Sequence, residues 1–160
     1  MIPEEAAKLI GKTAPPVIFE VEKGAIKRYA DAIADRNPLY WDDEYARNSK
    51  YGAIIAPPGF FGWPTQWANQ MPLLPPTGIR TQVLDTLSKL GFPRILDGGV
   101  EYEFNAPVRA GDKLVGSAKV ADIFERESKG TKMMFSVIET TYYTLSGTVA
   151  FKMRQTSISR

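Results

Sequence analysis

The sequence has no cysteine and no histidine among its 160 residues. Without cysteine, the chain forms no disulfide, offers no thiol nucleophile and cannot bind zinc through thiolates. Without histidine, it lacks the commonest general base and the commonest transition-metal ligand of proteins. We therefore predict no metal site, and we expect any proton transfer to use carboxylate, tyrosine, lysine, serine, threonine or backbone groups.

The chain also lacks long apolar runs and clusters of like charge. No apolar stretch approaches the roughly 20 residues of a membrane span, and the N-terminal MIPEEAAKLIGK has no apolar core of a signal peptide. The net charge is +2, and the lysines and arginines are scattered, whereas nucleic-acid binding needs a concentrated basic patch. The sequence thus predicts a cytoplasmic protein that binds neither nucleic acid nor membrane.

The first 95 residues are predicted to hold one strand and several helices. Alternating apolar residues predict a strand near 17–22, and helical spacing predicts a helix over 23–34 that Asn37-Pro38 ends. Residues 51–95 contain seven of the 12 prolines together with many aromatic residues, so they resemble a cover for a pocket more than a linker. Within this segment, helical spacing and the stop signal at Gly91 predict a helix that starts near residue 79.

The C-terminal third is predicted to be β-rich. In GGVEYEFNAPV, strict alternation places Val100, Tyr102 and Phe104 on one face of a strand. Three further strands follow, with turns at Lys129-Gly130 and Ser146-Gly147. We therefore predict a four-stranded antiparallel meander with helices segregated to one side of the sheet, which is an α+β fold.

Three motifs, in this order, resemble the MaoC-like hydratases and dehydratases, and within that family the N-terminal, FAS1-type dehydratase half. The motifs are DRNPLY with the following WDDEYA, YGAIIAPPGFF, and GGVEYEFNAPVRAGDKL. The resemblance implies a hot-dog fold, in which an antiparallel sheet wraps a central helix that starts near the second motif. It makes residues 1–160 one domain, with 62–95 as a variable segment that covers the pocket.

The resemblance also implies acyl-thioester chemistry without a cofactor. Family members add water to a trans-2-enoyl thioester of CoA or acyl carrier protein, or remove water from the 3-hydroxyacyl form. Their loop reads Asp-x-Asn-Pro-x-His, and its aspartate and histidine exchange protons with the water. An amide N–H at the start of the central helix stabilises the negative charge that develops on the thioester oxygen.

Carried over to this chain, the loop gives Asp35, Asn37 and Tyr40 as candidate catalytic residues, with tyrosine in the histidine position. Tyrosine has a pKa near 10, against about 6.5 for histidine, so it shares a proton poorly at neutral pH. Pro58 falls where the amide donor is expected, and proline has no N–H; Gly59 supplies the amide if the alignment is one residue off. The candidate substrate-binding residues are Pro58, Gly59, Phe60 and Trp63.

Three functional hypotheses follow. The one we favour is the histidine-free subunit of an enoyl-CoA hydratase or 3-hydroxyacyl-thioester dehydratase, which shapes the acyl pocket beside a second, catalytic hot-dog chain. The second is a stand-alone hydratase or dehydratase that uses Asp35 and Tyr40. The third is an acyl-thioester-binding module without turnover. A hetero-oligomer and a homodimer both remain open, because the edges of a single sheet invite pairing.

Each candidate residue also has a structural interpretation. Asp35 can serve as a turn residue and Tyr40 as a core aromatic. The aromatic residues after the second motif fit either a core or an acyl pocket. For Arg109 we favour a structural role, the support of the turn at Gly111-Asp112.

Overall fold

The computed structural model describes residues 2–62 and 78–160. The described strands are β1 (Val17–Glu20), β2 (Ile95–Phe104), β3 (Lys113–Ser128), β4 (Thr131–Thr144) and β5 (Val149–Ser159). They form one antiparallel sheet in the order β1-β3-β4-β5-β2. The strands of the C-terminal third thus occur close to where alternation predicts them, and β3 has the predicted bounds.

The described helices precede the long strands. They are α1 (Glu4–Ala7), α2 (Lys23–Ala32), α3 (Asp43–Asn48) and α4 (Ile79–Lys89), with short 3-10 helices at Pro38–Tyr40 and Phe60–Gly62. The predicted stop of α4 is confirmed, because Gly91 has a φ of +95°, which favours glycine. Of the predicted helix that follows the second motif, only the turn at Phe60–Gly62 falls within the described residues.

The predicted four-stranded meander is wrong in one respect. Strands β3, β4 and β5 do form a meander, but β2 pairs with β5 and not with β3. The reason lies in the connection after β2: the N–H groups of Asn105 and Ala106 both donate to the carbonyl of Ala150, at the start of β5. The chain therefore crosses the sheet before it begins β3, whereas a hairpin would have returned it directly.

Strand β2 also begins earlier than predicted, at Ile95 instead of Gly98. Its register against β5 shifts between Asp97 and Gly99, and this irregularity interrupts the alternation. From Gly99 onward the predicted faces hold, since Val100, Tyr102 and Phe104 occupy alternate positions of the strand.

The core consists of two buried clusters on one face of the sheet, which we call the inner face. One cluster joins α1 and α4 to β3 and β4, and its members include Leu9, Val83, Leu87, Val120 and Met134. The other joins α2 and the loops to the remaining part of the sheet, and its members include Ile26, Phe60, Phe61, Tyr142 and Phe151. Helices thus lie on one side of an antiparallel sheet, as predicted for an α+β fold. No helix within residues 2–62 and 78–160 is long and apolar enough to cross a membrane.

Candidate active site

The DRNPLY loop follows α2, and side-chain hydrogen bonds hold its shape. Ala34 takes a φ of +54°, and the N–H of Asp35 donates to the carbonyl of Ala30 at 2.9 Å, so the chain turns sharply. Asp35 Oδ1 then accepts the N–H of Asn37 at 3.0 Å. Trp41 Nε1 donates to the Asp35 carbonyl at 2.8 Å. Asp35 therefore has the turn-forming role that its structural interpretation predicts.

Asn37 caps the 3-10 helix at Pro38–Tyr40. Its Oδ1 accepts the N–H of Leu39 at 3.1 Å, while Pro38 occupies a position where no N–H is needed. The helix places Tyr40 in the core cluster with only 7% of its surface exposed. The loop is thus a rigid support that points an aromatic residue inward.

The pKa of Tyr40 is raised above its ordinary value. Burial is the main cause, and the nearby Asp35 carboxylate and Tyr51 phenol add to it, while a side-chain hydrogen bond with Asn37 lowers the pKa in part. The phenol is therefore neutral at neutral pH and can donate a hydrogen bond. It is a poor general base, since the phenolate form is disfavoured.

A cleft of about 440 Å³ opens beside this loop. It brings together Asn37, Tyr40 and Pro58 from the candidate residues, whereas Asp35 is not among its lining residues. The other walls come from 51–56 and from 104–108. The complete lining is Asn37, Leu39, Tyr40, Tyr51, Ile55, Ala56, Pro58, Phe104, Asn105, Ala106, Pro107 and Val108.

Arg109 joins two walls of the cleft. Its Nε donates to the carbonyl of Tyr51 at 2.7 Å, and its backbone N–H donates to Asp112 Oδ2 at 2.8 Å. Next to it, the Ala56 N–H donates to the Val108 carbonyl at 2.8 Å. Arg109 therefore has the structural role that we favour from the sequence, and it extends beyond the turn to the wall at Tyr51.

The candidate substrate-binding residues have different positions. Pro58 lines the cleft but has no N–H to offer an oxyanion. Gly59 packs so tightly against the hydroxyl of Tyr29 that a methyl group there would collide with it. Phe60 is buried in the core, with its ring edge-on to that of Tyr29, and Trp63 lies outside the described residues. Substrate contact by these residues stays a prediction.

Sequence reasoning missed nine of the twelve residues that line the cleft, among them Tyr51, Phe104 and Asn105. Tyr51 opens the second motif. Phe104 ends β2 and Asn105 follows it, both within the third motif, which served only as evidence for the fold. A polar or aromatic residue at the end of a strand, just before a loop, is a signal that could have identified the last two.

A second, largely apolar cavity of about 520 Å³ lies between the inner face and the start of α4. A run of ring contacts leads to it from the cleft. Phe104 contacts Phe151 with centroids 5.4 Å apart, and Phe151 contacts Phe61 at 4.3 Å and Tyr142 at 4.2 Å. Phe61 and Tyr142 line the cavity, as does Gly116 of β3. Such a site can take an apolar chain or ring system.

Comparison with known protein families identifies the family of this chain. The family model described as "FAS1-like, dehydratase domain region" matches residues 8–153. The chain belongs to this family. A UPF0336 protein of Streptomyces avermitilis is 32% identical over 116 residues, which cover 71% of this chain and 70% of that protein.

The fold of this chain is identified by its similarity to solved structures of other proteins. The ChsH1-ChsH2 complex from Mycobacterium tuberculosis contains a chain that matches with a TM-score of 0.77 at 20% identity, covering 97% of this chain and 93% of that one. The HadBC complex, a C-terminally truncated 3R-hydroxyacyl-ACP dehydratase from the same organism, matches with a TM-score of 0.68 at 21% identity, covering 94% and 96%. These similarities confirm the predicted hot-dog fold of MaoC-like dehydratases.

Proposed function

We propose that this chain is the histidine-free half of a two-chain enoyl-thioester hydratase or 3-hydroxyacyl-thioester dehydratase. One observation carries the proposal. The loop keeps the Asp35 turn and the Asn37 cap, yet it presents the neutral phenol of Tyr40 to a cleft. The chain has no histidine to supply a general base at neutral pH.

In this enzyme, the two chains have different roles in substrate binding and proton transfer. In this chain, the Tyr40 phenol and the Asn37 side chain offer hydrogen bonds at the cleft, and the apolar cavity receives the acyl part of a CoA or acyl-carrier-protein thioester. The second hot-dog chain supplies the aspartate and histidine that move protons to and from water. It also supplies an amide for the thioester oxygen, because Pro58 cannot.

Support for a second chain comes from the structural matches. ChsH1-ChsH2 and HadBC are both complexes, and each contains a chain with the fold of this one. Support for a non-catalytic role comes from Asp35, whose Oδ1 is committed to the Asn37 N–H and which does not line the cleft. The proposed compartment for this enzyme is the cytoplasm.

The decisive experiment compares the purified chain with mixtures that contain a hot-dog chain bearing Asp-x-Asn-Pro-x-His, starting with the products of neighbouring genes. Hydration of crotonyl-CoA is followed by the loss of enoyl-thioester absorbance. We expect no turnover by the chain alone and turnover by one mixture. Replacing the partner's loop histidine by alanine should abolish that turnover, whereas Tyr40→Phe in this chain should preserve most of it.

Two results would count against this proposal. Robust hydration by the pure chain would mean that Asp35 and Tyr40 act by themselves. Binding of acyl-CoA without turnover in any mixture would indicate a thioester-binding module, and calorimetric titration with a non-hydratable acyl-CoA distinguishes that outcome from a failure to bind.

A further inference from the structure

Tyr142 of β4 is buried, with 1% of its surface exposed, and it lines the apolar cavity between the inner face and α4. Burial raises the pKa of Tyr142 and the nearby Tyr102 adds to the effect, so the phenol is neutral and can donate a hydrogen bond. Its hydroxyl nevertheless makes no hydrogen bond within residues 2–62 and 78–160. Because buried polar groups in native proteins are nearly always hydrogen-bonded, this hydroxyl calls for a partner in the cavity.

Three aromatic rings and one glycine fix the position of this phenol. Tyr142 stacks on Phe151 with centroids 4.2 Å apart and contacts Phe61 at 5.9 Å. It meets Phe19 edge-on at 5.5 Å. Gly116 of β3 also lies against the ring, because a Cβ there would come within 3.2 Å of it. The hydroxyl is therefore held in place by packing, as is required of a group that recognises one atom of a ligand.

Two further polar side chains of the sheet line the cavity near Tyr142. Thr140 lies two residues before it on β4, and hence on the same face, with 8% of its surface exposed. Gln155 of β5 lies two residues after Met153, which pairs with Thr140, so it also belongs to the inner face. The other walls are mainly apolar. A mostly apolar cavity with a few fixed polar groups is typical of a site that recognises an apolar ligand bearing one or two polar atoms.

The charges around the cavity indicate that the recognised atom is neutral. Among the described lining residues, the one charged side chain belongs to Arg80, which is exposed at the start of α4. A charged group inside the cavity would need an opposite charge beside it to offset its lost hydration. Since a neutral phenol donates a hydrogen bond, the complementary atom is an uncharged acceptor, such as the oxygen of a keto, ether or hydroxyl group.

We propose that the cavity takes an acyl group that carries a neutral oxygen atom remote from the thioester, and that the Tyr142 hydroxyl donates a hydrogen bond to this oxygen. The inference rests on the proposed function for the thioester and names the class of acyl group, which is oxygenated and not a plain alkyl chain. The rings of Phe104 and Phe151 lie between the cleft at Tyr40 and the cavity. The oxygen is therefore bound away from the carbons that react, and it governs the choice of substrate.

The test uses two small neutral ligands without a thioester, so it depends on no hydratase activity. Benzylacetone and butylbenzene share a phenyl ring and a butyl skeleton, and they differ by the carbonyl oxygen. Each is titrated into the purified chain, and NMR follows the amide signals of Gly116 and Thr140, which line the cavity. Tyr142→Phe removes the hydroxyl alone. Tyr143→Phe is the matched control, because Tyr143 is the next residue of β4, on the opposite face, and is not among the lining residues.

Tyr142→Phe should weaken the binding of benzylacetone by about 2- to 12-fold, the net contribution of one hydrogen bond, and leave that of butylbenzene unchanged. Tyr143→Phe should change neither. Tyr142→Phe should also unfold at the same or a higher temperature than wild type, because its hydroxyl has no partner in the fold to lose.

Three results would overturn the proposal: equal affinity of wild type and Tyr142→Phe for benzylacetone, binding of neither ligand at the cavity, or a clear loss of thermal stability in Tyr142→Phe. Ketone binding that depends on Tyr142, without hydratase activity in any mixture, would instead refute the proposed function and leave this binding site in place.

Discussion

Arg109 Nε donates a 2.7 Å hydrogen bond to the carbonyl of Tyr51, 58 positions earlier in the chain. This bond holds together two walls of the cleft that the sequence brings from separate motifs. Because the same residue also donates its backbone N–H to Asp112, the cleft wall and the turn before β3 are one hydrogen-bonded unit.

Arg109→Met should therefore destabilise the protein and loosen the cleft. The variant keeps the apolar stem but leaves the half-buried Tyr51 carbonyl without its donor, which costs about 1–3 kcal/mol. Urea denaturation measures the loss, and hydrogen exchange should speed up at 51–56. Arg80→Met, on the exposed start of α4, is the matched control and should change stability by less than about 0.5 kcal/mol. Equal effects of the two variants would contradict the role of Arg109.

The Asp35→Asn variant tests whether Asp35 only forms the turn or also transfers protons. The amide keeps an oxygen that can accept the Asn37 N–H, so folding should be little affected, but the negative charge is gone. In the two-chain enzyme, kcat should fall by far less than the about 10²-fold that a general acid or base contributes. Asp35→Ala is the companion variant, and it should lose stability because the turn loses its acceptor. A 100-fold fall in kcat for Asp35→Asn would make Asp35 catalytic.

Tyr40 should contribute to alkaline unfolding. Its folded-state pKa is raised, mainly by burial, so its contribution to stability is complete below the ordinary tyrosine pKa of about 10. That contribution is lost as pH rises from there toward the raised value. Tyr40→Phe should flatten the decline of unfolding free energy between about pH 9.5 and 11. Identical slopes for wild type and Tyr40→Phe would refute the assignment.

Phe151 contacts three other aromatic rings in the region between the cleft and the apolar cavity. It is fully buried and contacts Phe61, Tyr142 and Phe104. Phe151→Ala should cost about 3–5 kcal/mol, the usual loss for a phenylalanine truncated in a core. Leu145→Ala, in the exposed turn after β4, should cost almost nothing. Urea denaturation of both variants checks the difference, and a loss below about 1 kcal/mol for Phe151→Ala would mean that the rings pack loosely.

Sequence patterns predicted those strands and helix ends that depend on interactions between residues a few positions apart. Alternation and turn glycines located β3, β4 and β5, because these depend on residues a few positions apart. The helix predicted over 23–34 does form, but it ends at Ala32, where the chain turns at Ala34 before it reaches Asn37-Pro38. The pairing of β2 with β5 escaped prediction, since the hydrogen bonds that direct the crossover join Asn105 and Ala106 to the distant Ala150. The cleft was predicted only in part for the same reason, because Tyr51 and Phe104 are far apart in the sequence and lie together only in the folded protein.

Gly116 of β3 lies in the wall of the apolar cavity, beside the ring of Tyr142. A methyl group there would come within 3.2 Å of the Tyr142 ring, which is tighter than ordinary van der Waals contact, so an alanine at this position of β3 would press on a ring that lines the cavity. This wall stands apart from the Asp35–Tyr40 turn, on a different element of the chain. A substitution at Gly116 would therefore change the wall of the cavity while the turn stays intact, so the shape of the cavity and the structure of the loop can change independently.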